Sequence, residues 1–301
     1  MSTARRIWRR VVTAAVVGST GALLLSALTP AGAATKEDGG AARYINSMSV
    51  DEYVQRYDHA MGSQIAKVEG DDSTAQTNDT GEQPLLRFNA AVLQAKPTLA
   101  GIDVSGHQRN VDWGHWWRQG KRFAYVKATE GTGFKNPYFS QQYNGSYRVG
   151  MIRGAYHFAL PNRSSGAAQA NYFVNNGGGW SDDGKTLPGA LDMEYNPYGA
   201  ACYGKSQRSM AAWIRDFHDT YFERTGRWPV IYTSTSWWNR CVGRAQSFGN
   251  TVPLWIARYN TSIGALPHGW SFHTFWQHTS KPIDQNRFNG AHTRLQALAG
   301  G

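Results

Sequence analysis

Residues 189–195 read Gly189-Ala190-Leu191-Asp192-Met193-Glu194-Tyr195. The run is apolar apart from two acids spaced two positions apart. As a strand it puts Asp192 and Glu194 on one face, about 6.5–7 Å apart along the chain, with Leu191 and Met193 on the other. Two carboxyls that close, partly desolvated by aromatic neighbours, cannot both ionise easily. One pKa rises, and a carboxylic acid becomes available near neutral pH. Such a group can protonate a glycosidic oxygen. The competing reading is structural, with the pair held in salt bridges by Lys127, Arg153 or Arg258, and D-x-E alone does not exclude it.

Working outward, similar short apolar runs recur between polar or helical stretches. Ala100 to Val104, Phe123 to Ala128, Met151 to Phe158, Val230 to Thr233, Leu254 to Ala257 and Thr274 to Gln277 read as strands, with Ile283 to Gln285 a weaker one. The clearest helix spans Ser206 to Arg224. Met210, Trp213, Ile214, Phe217 and Tyr221 share one of its faces, Ser206 caps its start, and Gly226 with Pro229 ends it. Alternating strands and helices predict a parallel sheet, and eight strands in about 200 residues predict a compact barrel. The late strands are separated by gaps too short for crossover helices. The fold class is therefore α/β: a modified (β/α) barrel of about eight strands with fewer helices, its final third helix-poor.

Acids are scarce in this region, yet Asp103, Asp192, Glu194 and Asp284 all fall at predicted strand ends, where barrel sites lie. Aromatic residues gather there too: Tyr156, Tyr195, Tyr232, Trp255, Tyr259 and Trp276. Such rings stack on the C–H faces of sugars and exclude water. Eleven tryptophans beyond residue 33 exceed what a core of this size needs, so some should line a cleft.

Taken together, several stretches resemble glycoside hydrolase family 25, the Chalaropsis-type lysozymes. They are Gly101-Ile102-Asp103-Val104-Ser105, Tyr125-Val126-Lys127-Ala128-Thr129-Glu130-Gly131, Arg153-Gly154-Ala155-Tyr156-His157-Phe158, Asp192-Met193-Glu194, Trp255-Ile256-Ala257, Phe275-Trp276-Gln277 and Asp284-Gln285-Asn286. The resemblance covers about residues 99–290. It implies a modified barrel and a muramidase that cuts the β-1,4 bond between N-acetylmuramic acid and N-acetylglucosamine in peptidoglycan. By position it implies Glu194 as proton donor and Asp192 as second catalytic carboxylate, with Asp103 and Asp284 as supporting acids. The acetamido oxygen of the substrate could attack the anomeric carbon, while direct attack by a carboxylate and an inverting water remain open. Tyr156, Lys127, Tyr195, Tyr232, Trp255, Arg258, Trp276 and Gln277 are the candidate substrate-binding residues. A chitinase-like hydrolase would want an acid at position 190, where this chain has alanine. A non-catalytic glycan-binding module would have no need of all four acids.

The chain of 301 residues divides by charge. Arg5, Arg6, Arg9 and Arg10 precede an apolar stretch from Val11 to Leu28, and Ala31-Gly32-Ala33 follows with a small-x-small pattern. Residues 1–33 thus read as an export signal, making the protein secreted and extracellular, with no stable membrane insertion once the signal is removed. Arg5-Arg6 raises the twin-arginine route, which Ile7-Trp8 fits poorly. Residues 34–98 hold ten acids against six bases and form an acidic pro-segment or spacer. Ser49-Val50-Asp51-Glu52 is a capping box opening a short helix through Tyr53, Val54 and Tyr57. Asp71 to Pro84 is polar and without periodicity, as in a linker. Residues 99–301, the catalytic barrel, keep the whole net charge of +10. That suits a polyanionic partner such as bacterial cell wall, and docking of the acidic segment is a further use for it.

Exported cysteines can oxidise, so Cys202 and Cys241 are expected to form one disulfide, with two buried thiols the alternative. Gly179 to Thr186 and Gly199 to Ser206 both match the G-x4-G-K-[ST] pattern. The first precedes a strand and carries two aspartates; the second follows a strand that ends in acids. Neither is read as a phosphate loop. No metal site stands out and no cofactor is implied. His157 and His273 read as hydrogen-bonded pocket or core residues. A secreted nuclease would want a metal cluster or paired histidines, so no nucleic-acid partner is expected. The protein is expected to be a monomer.

Overall fold

The computed structural model describes residues 48–72 and 97–301. The expected export signal at 1–33, residues 34–47 and most of the expected linker, from 73 onward, lie outside the described residues. Residues 48–301 belong to one compact unit.

Eight strands close into a ring: β1 (Leu99–Val104), β2 (Phe123–Glu130), β4 (Ile152–Phe158), β5 (Ala190–Asp192), β6 (Val230–Ser234), β7 (Leu254–Ala257), β8 (Phe275–Thr279) and β9 (Gln285–Phe288). A two-residue β3 (Phe134–Lys135) hangs from β2 as an antiparallel finger. The seven ring strands before β9 run parallel to one another. The last strand does not, because β9 is antiparallel to both β1 and β8 and seals the barrel between them. The reason is connection length. From Thr279 to Gln285 there is no room for a crossover helix, so the chain turns back on itself.

The reversal matters for the site. Asp284 stands just before β9, not at its end. Because β9 runs the opposite way, its start lies at the same rim as the C-terminal ends of the parallel strands, and Asp284 joins the other acids there.

Among the described residues two helices precede the barrel: α1 (Val50–Tyr57) and α2 (Ser63–Glu69). The barrel's own helices are α3 (Trp113–Arg118), α4 (Phe139–Arg148), α5 (Gly166–Phe173), α6 (Gln207–Thr225), α7 (Thr235–Cys241) and α8 (His292–Gly300). Among the described residues no helix separates β7 from β8 or β8 from β9, as the short gaps predict. Helix α6 buries Met210, Trp213, Ile214, Phe217 and Tyr221, is capped by Ser206 and stops at Gly226 in the left-handed conformation. No helix among the described residues is long and apolar enough to cross a membrane.

Alternation sorts the strand residues. Tyr125, Tyr156, Ala190, Tyr232, Trp255 and Phe275 belong to the main core cluster, which also takes in Met61 and Ile65 from the segment before the barrel. Cys202 and Cys241 are bonded, with Cα atoms 5.3 Å apart, tying the turn before α6 to the end of α7. The same turn is the second phosphate-loop match, and its Ser206 hydroxyl is spent on capping α6.

Candidate active site

Strand β5 ends at Asp192, short of the expected Glu194, which stands two residues beyond it in extended chain whose Met193 N–H still bonds the Tyr232 carbonyl at 2.9 Å. Pleating turns Asp192 and Glu194 to one face, and both are buried, at 0% and 1% exposure. Neither oxygen of the Asp192 carboxyl has a hydrogen-bond partner among the described residues. A desolvated carboxyl without donors resists ionisation, and burial, followed by the charge of Glu194, pushes Asp192 well above the usual carboxylate range. Burial also raises Glu194, to about 8, against three backbone N–H donors and the charge of Lys127.

Asp103, on β1, is fully buried and accepts from the side-chain amides of Asn286 (2.7 Å) and Gln277 (2.9 Å). Burial outweighs those bonds and lifts it to about 7. Gln277 is the hub of the rim. Its Oε1 accepts from the Tyr232 and Tyr259 hydroxyls, at 2.5 and 2.7 Å, while its Nε2 serves Asp103. Asp284 is raised well above the ordinary value by burial and then by the charges of Asp103 and Glu194. Four acids thus share one sealed rim, which fixes the number of protons they hold rather than assigning one to each.

The cations that could neutralise the pair are engaged elsewhere. Lys127, at 0% exposure, forms an ion pair with Asp58 (2.7 Å) and donates to Glu130 (2.7 Å) and to the His59 carbonyl (2.6 Å). Arg153 bonds Asp183 and Thr186. The salt-bridge reading of the D-x-E pair therefore fails, and an acid pair without a bonded counter-cation remains.

The other candidates fall into two groups. Tyr156, Lys127, Tyr195, Tyr232 and Gln277 stand on the rim beside the acids. Arg258 is exposed and lines a cavity of about 160 Å³ together with Glu69, Asp72 and Tyr259. Trp255 lies deeper: Tyr125, Tyr232 and Phe275 cover its ring, and its indole N–H donates to Asn286 at 2.9 Å. Trp276, expected to line a cleft, takes the outer face of β8, because Gln277 beside it points inward. Its indole N–H is tied to the Arg258 carbonyl, and the Arg287 guanidinium sits over its ring. His157 is a core residue, held by Thr129 and Gln169.

Sequence reasoning overlooked Asn286 and Glu130 as site residues, although both sit inside quoted motifs. It gave no hint of Asp58, His59 or Glu69. His59 bonds Glu130 at 2.8 Å, and Tyr195 bonds Glu69 at 2.9 Å, across 71 and 126 positions of sequence.

A closed α/β barrel with a cluster of buried carboxyls at the C-terminal rim defines a hydrolase-like site. Comparison with known proteins gives it a family. Residues 102–286 match the model of glycosyl hydrolases family 25. Lysozyme M1 of Streptomyces globisporus is 50% identical over 209 residues, covering 67% of this chain and 71% of that one. The solved muramidase from Acremonium alcalophilum is 58% identical with a TM-score of 0.66, over 67% of this chain and 99% of that one. The family 25 lysozyme from Aspergillus fumigatus is 48% identical with a TM-score of 0.67, over 68% of this chain and 100% of that one. The chain belongs to glycosyl hydrolase family 25.

Proposed function

We propose that this protein is an exported muramidase that cleaves the β-1,4 bond between N-acetylmuramic acid and N-acetylglucosamine in bacterial peptidoglycan, with Glu194 as proton donor. The observation that carries the reading is the Asp192–Glu194 pair. Two carboxyls sit on one face, buried, without a bonded cation, at the rim where barrel enzymes act. Relatives at about half identity are named as lysozymes and muramidases.

Freed of its backbone partners, Glu194 takes the proton that the pair holds near neutral pH and gives it to the glycosidic oxygen as the C–O bond breaks. The leaving sugar departs neutral. Asp192, with its neighbour protonated, carries the negative charge that the developing positive charge at the anomeric carbon requires. The electron pair that replaces the broken bond comes from the acetamido oxygen of the muramic residue, which Asp192 orients through the acetamido N–H, and water then opens the ring so formed. Asp103 and Asp284 are supporting acids of the same rim, and the Gln277 and Asn286 amides fix where Asp103 points.

Export is supported by the arginines, apolar run and small residues of positions 5–33. A monomer is supported by a site completed within one chain.

Digestion of purified peptidoglycan, borohydride reduction and mass spectrometry of the soluble fragments test the reading. Fragments ending in reduced muramic acid are expected, and fragments ending in reduced glucosamine would contradict it.

A further inference from the structure

The rim described above is already occupied by the protein's own chain. Both oxygens of the Glu194 carboxyl are taken by backbone N–H groups from residues 62–65: Gly62 at 2.6 Å to one, Gln64 at 2.8 Å and Ile65 at 3.1 Å to the other. The Met61 N–H donates to the Tyr156 hydroxyl at 3.1 Å, and the Tyr259 hydroxyl lies 3.2 Å from the Gly62 carbonyl. Asp58, buried, neutralises Lys127. Glu69 accepts from both Tyr195 and Ser234, and Asp71 accepts from Ser280 at 2.6 Å. Met61 and Ile65 are each only 1% exposed and pack into the barrel's own core cluster.

We infer that residues 48–72 are an intramolecular inhibitor, seated in the glycan-binding cleft and holding the enzyme latent until the chain is cut between Asp72 and Leu99. The inference rests on the muramidase reading for what is inhibited. A proton donor whose two oxygens face peptide N–H groups cannot reach a glycosidic oxygen. The segment also occupies five candidate substrate-binding side chains or their hydroxyl partners: Tyr156, Lys127, Tyr195, Tyr232 and Gln277.

Two features mark this as a built contact. The segment's acids meet the cleft's polar groups, Asp58 on Lys127 and Glu69 on Tyr195 and Ser234. Gly62 sits at φ +79°, and a Cβ there would fall 2.5 Å from the Tyr232 hydroxyl and 2.6 Å from Gln277 Oε1, closer still to the Tyr259 hydroxyl. Only glycine passes that point. While the segment is covalently joined it competes as an intramolecular ligand; once cut free it is diluted and exchanges with substrate. The solved relatives are matched over 99–100% of their length by about two-thirds of this chain, and the matched family region begins only at residue 102. The inhibitor is thus an addition to the family domain.

The test compares the intact full chain with its Gly62→Val variant, which leaves every barrel residue unchanged. Chain integrity is checked by mass spectrometry. Two readouts are taken: release of reducing ends from peptidoglycan, and amide hydrogen exchange at residues 62, 64 and 65. The expected result is slow turnover and protected amides in the unmodified chain, with loss of protection and at least a roughly tenfold faster rate in Gly62→Val, since the open fraction sets the observed rate. A synthetic peptide of residues 48–72 should inhibit Gly62→Val competitively, and the same peptide with valine at 62 should not. Equal rates with unprotected amides in both chains would overturn the inference, as would equal rates despite protection. If neither chain releases reducing ends, the muramidase reading fails. The docking itself is then decided by exchange and peptide binding, and unprotected amides in the unmodified chain would overturn it.

Discussion

At the scale of single residues, the chemistry depends on keeping one proton between two buried carboxyls. Asp192 lacks donors and Glu194 loses solvent, so the pair holds a proton well above the range in which free carboxyls ionise. Asp192→Asn removes the charge that stabilises the reaction centre, and should cost about 10²-fold or more in kcat/KM. It also removes a negative neighbour from Glu194, which lowers the pKa of that residue. The basic limb of the pH–activity profile should therefore move to lower pH in Asp192→Asn, whereas a merely structural role for Asp192 would leave the profile in place and change only the amount of folded protein. Gln277 is the residue on which this geometry is hung. Truncating it to alanine strips partners from Asp103, Tyr232 and Tyr259 together, and by analogy with other lost buried hydrogen bonds should cost about 1–3 kcal/mol in urea denaturation.

At the scale of elements, the cross-link offers a direct check. Cys202–Cys241 closes a loop across 39 positions, and in the chain-entropy model such a loop stabilises by about 4 kcal/mol. Replacing both cysteines by alanine should lower the denaturation free energy by that order without changing the cleavage product, and an unchanged midpoint would mean that the native contacts alone hold α7 in place. Most elements were legible in sequence because each had one dominant local signal. Helix α6 has its apolar face, Ser206 and Gly226; α1 has the Ser49–Glu52 capping box, which forms as expected; the strands have their short apolar runs. Legibility failed where the deciding contact was distant. The run Ile283 to Gln285 gave the right neighbourhood but the wrong bounds and direction, because β9 is set by closure between β1 and β8. Trp276 carried no local mark of which face it would take, and that was decided by Gln277 bonding inward to Asp103. The two-residue β3 and the short helices α3 and α7 have too little periodicity to stand out. Asp58 and Glu69 looked like ordinary surface acids, since nothing within 25 residues of either hinted at Lys127 or Tyr195.

At the scale of the whole molecule, charge and burial oppose one another. The barrel region is strongly basic, while its rim encloses a knot of acids covered by an acidic segment. Stability should record that arrangement. Glu194 and Asp103, raised to about 8 and about 7, favour the folded state fully below their unfolded values near 4 and lose that contribution as pH rises to 7 and 8. His157, held near 4 by burial, acts in the other sense, but only below about 6.5, where the unfolded histidine takes up its proton. Between pH 6.5 and 8 the acids act alone, so the thermal midpoint of the full chain should fall across that interval, and a rising midpoint would contradict the buried protons. The same protons are the centre of the catalytic account. The most direct measurement is the activity of Glu194→Gln, made in the Gly62→Val chain, on two substrates: peptidoglycan, whose sugar leaving group needs a proton, and an aryl glycoside, whose phenolate leaves without one. If Glu194 is the proton donor, hydrolysis of peptidoglycan should fall by about 10²–10⁴-fold while the aryl glycoside loses far less. Wall-clearing activity retained by Glu194→Gln, or equal losses on both substrates, would contradict it.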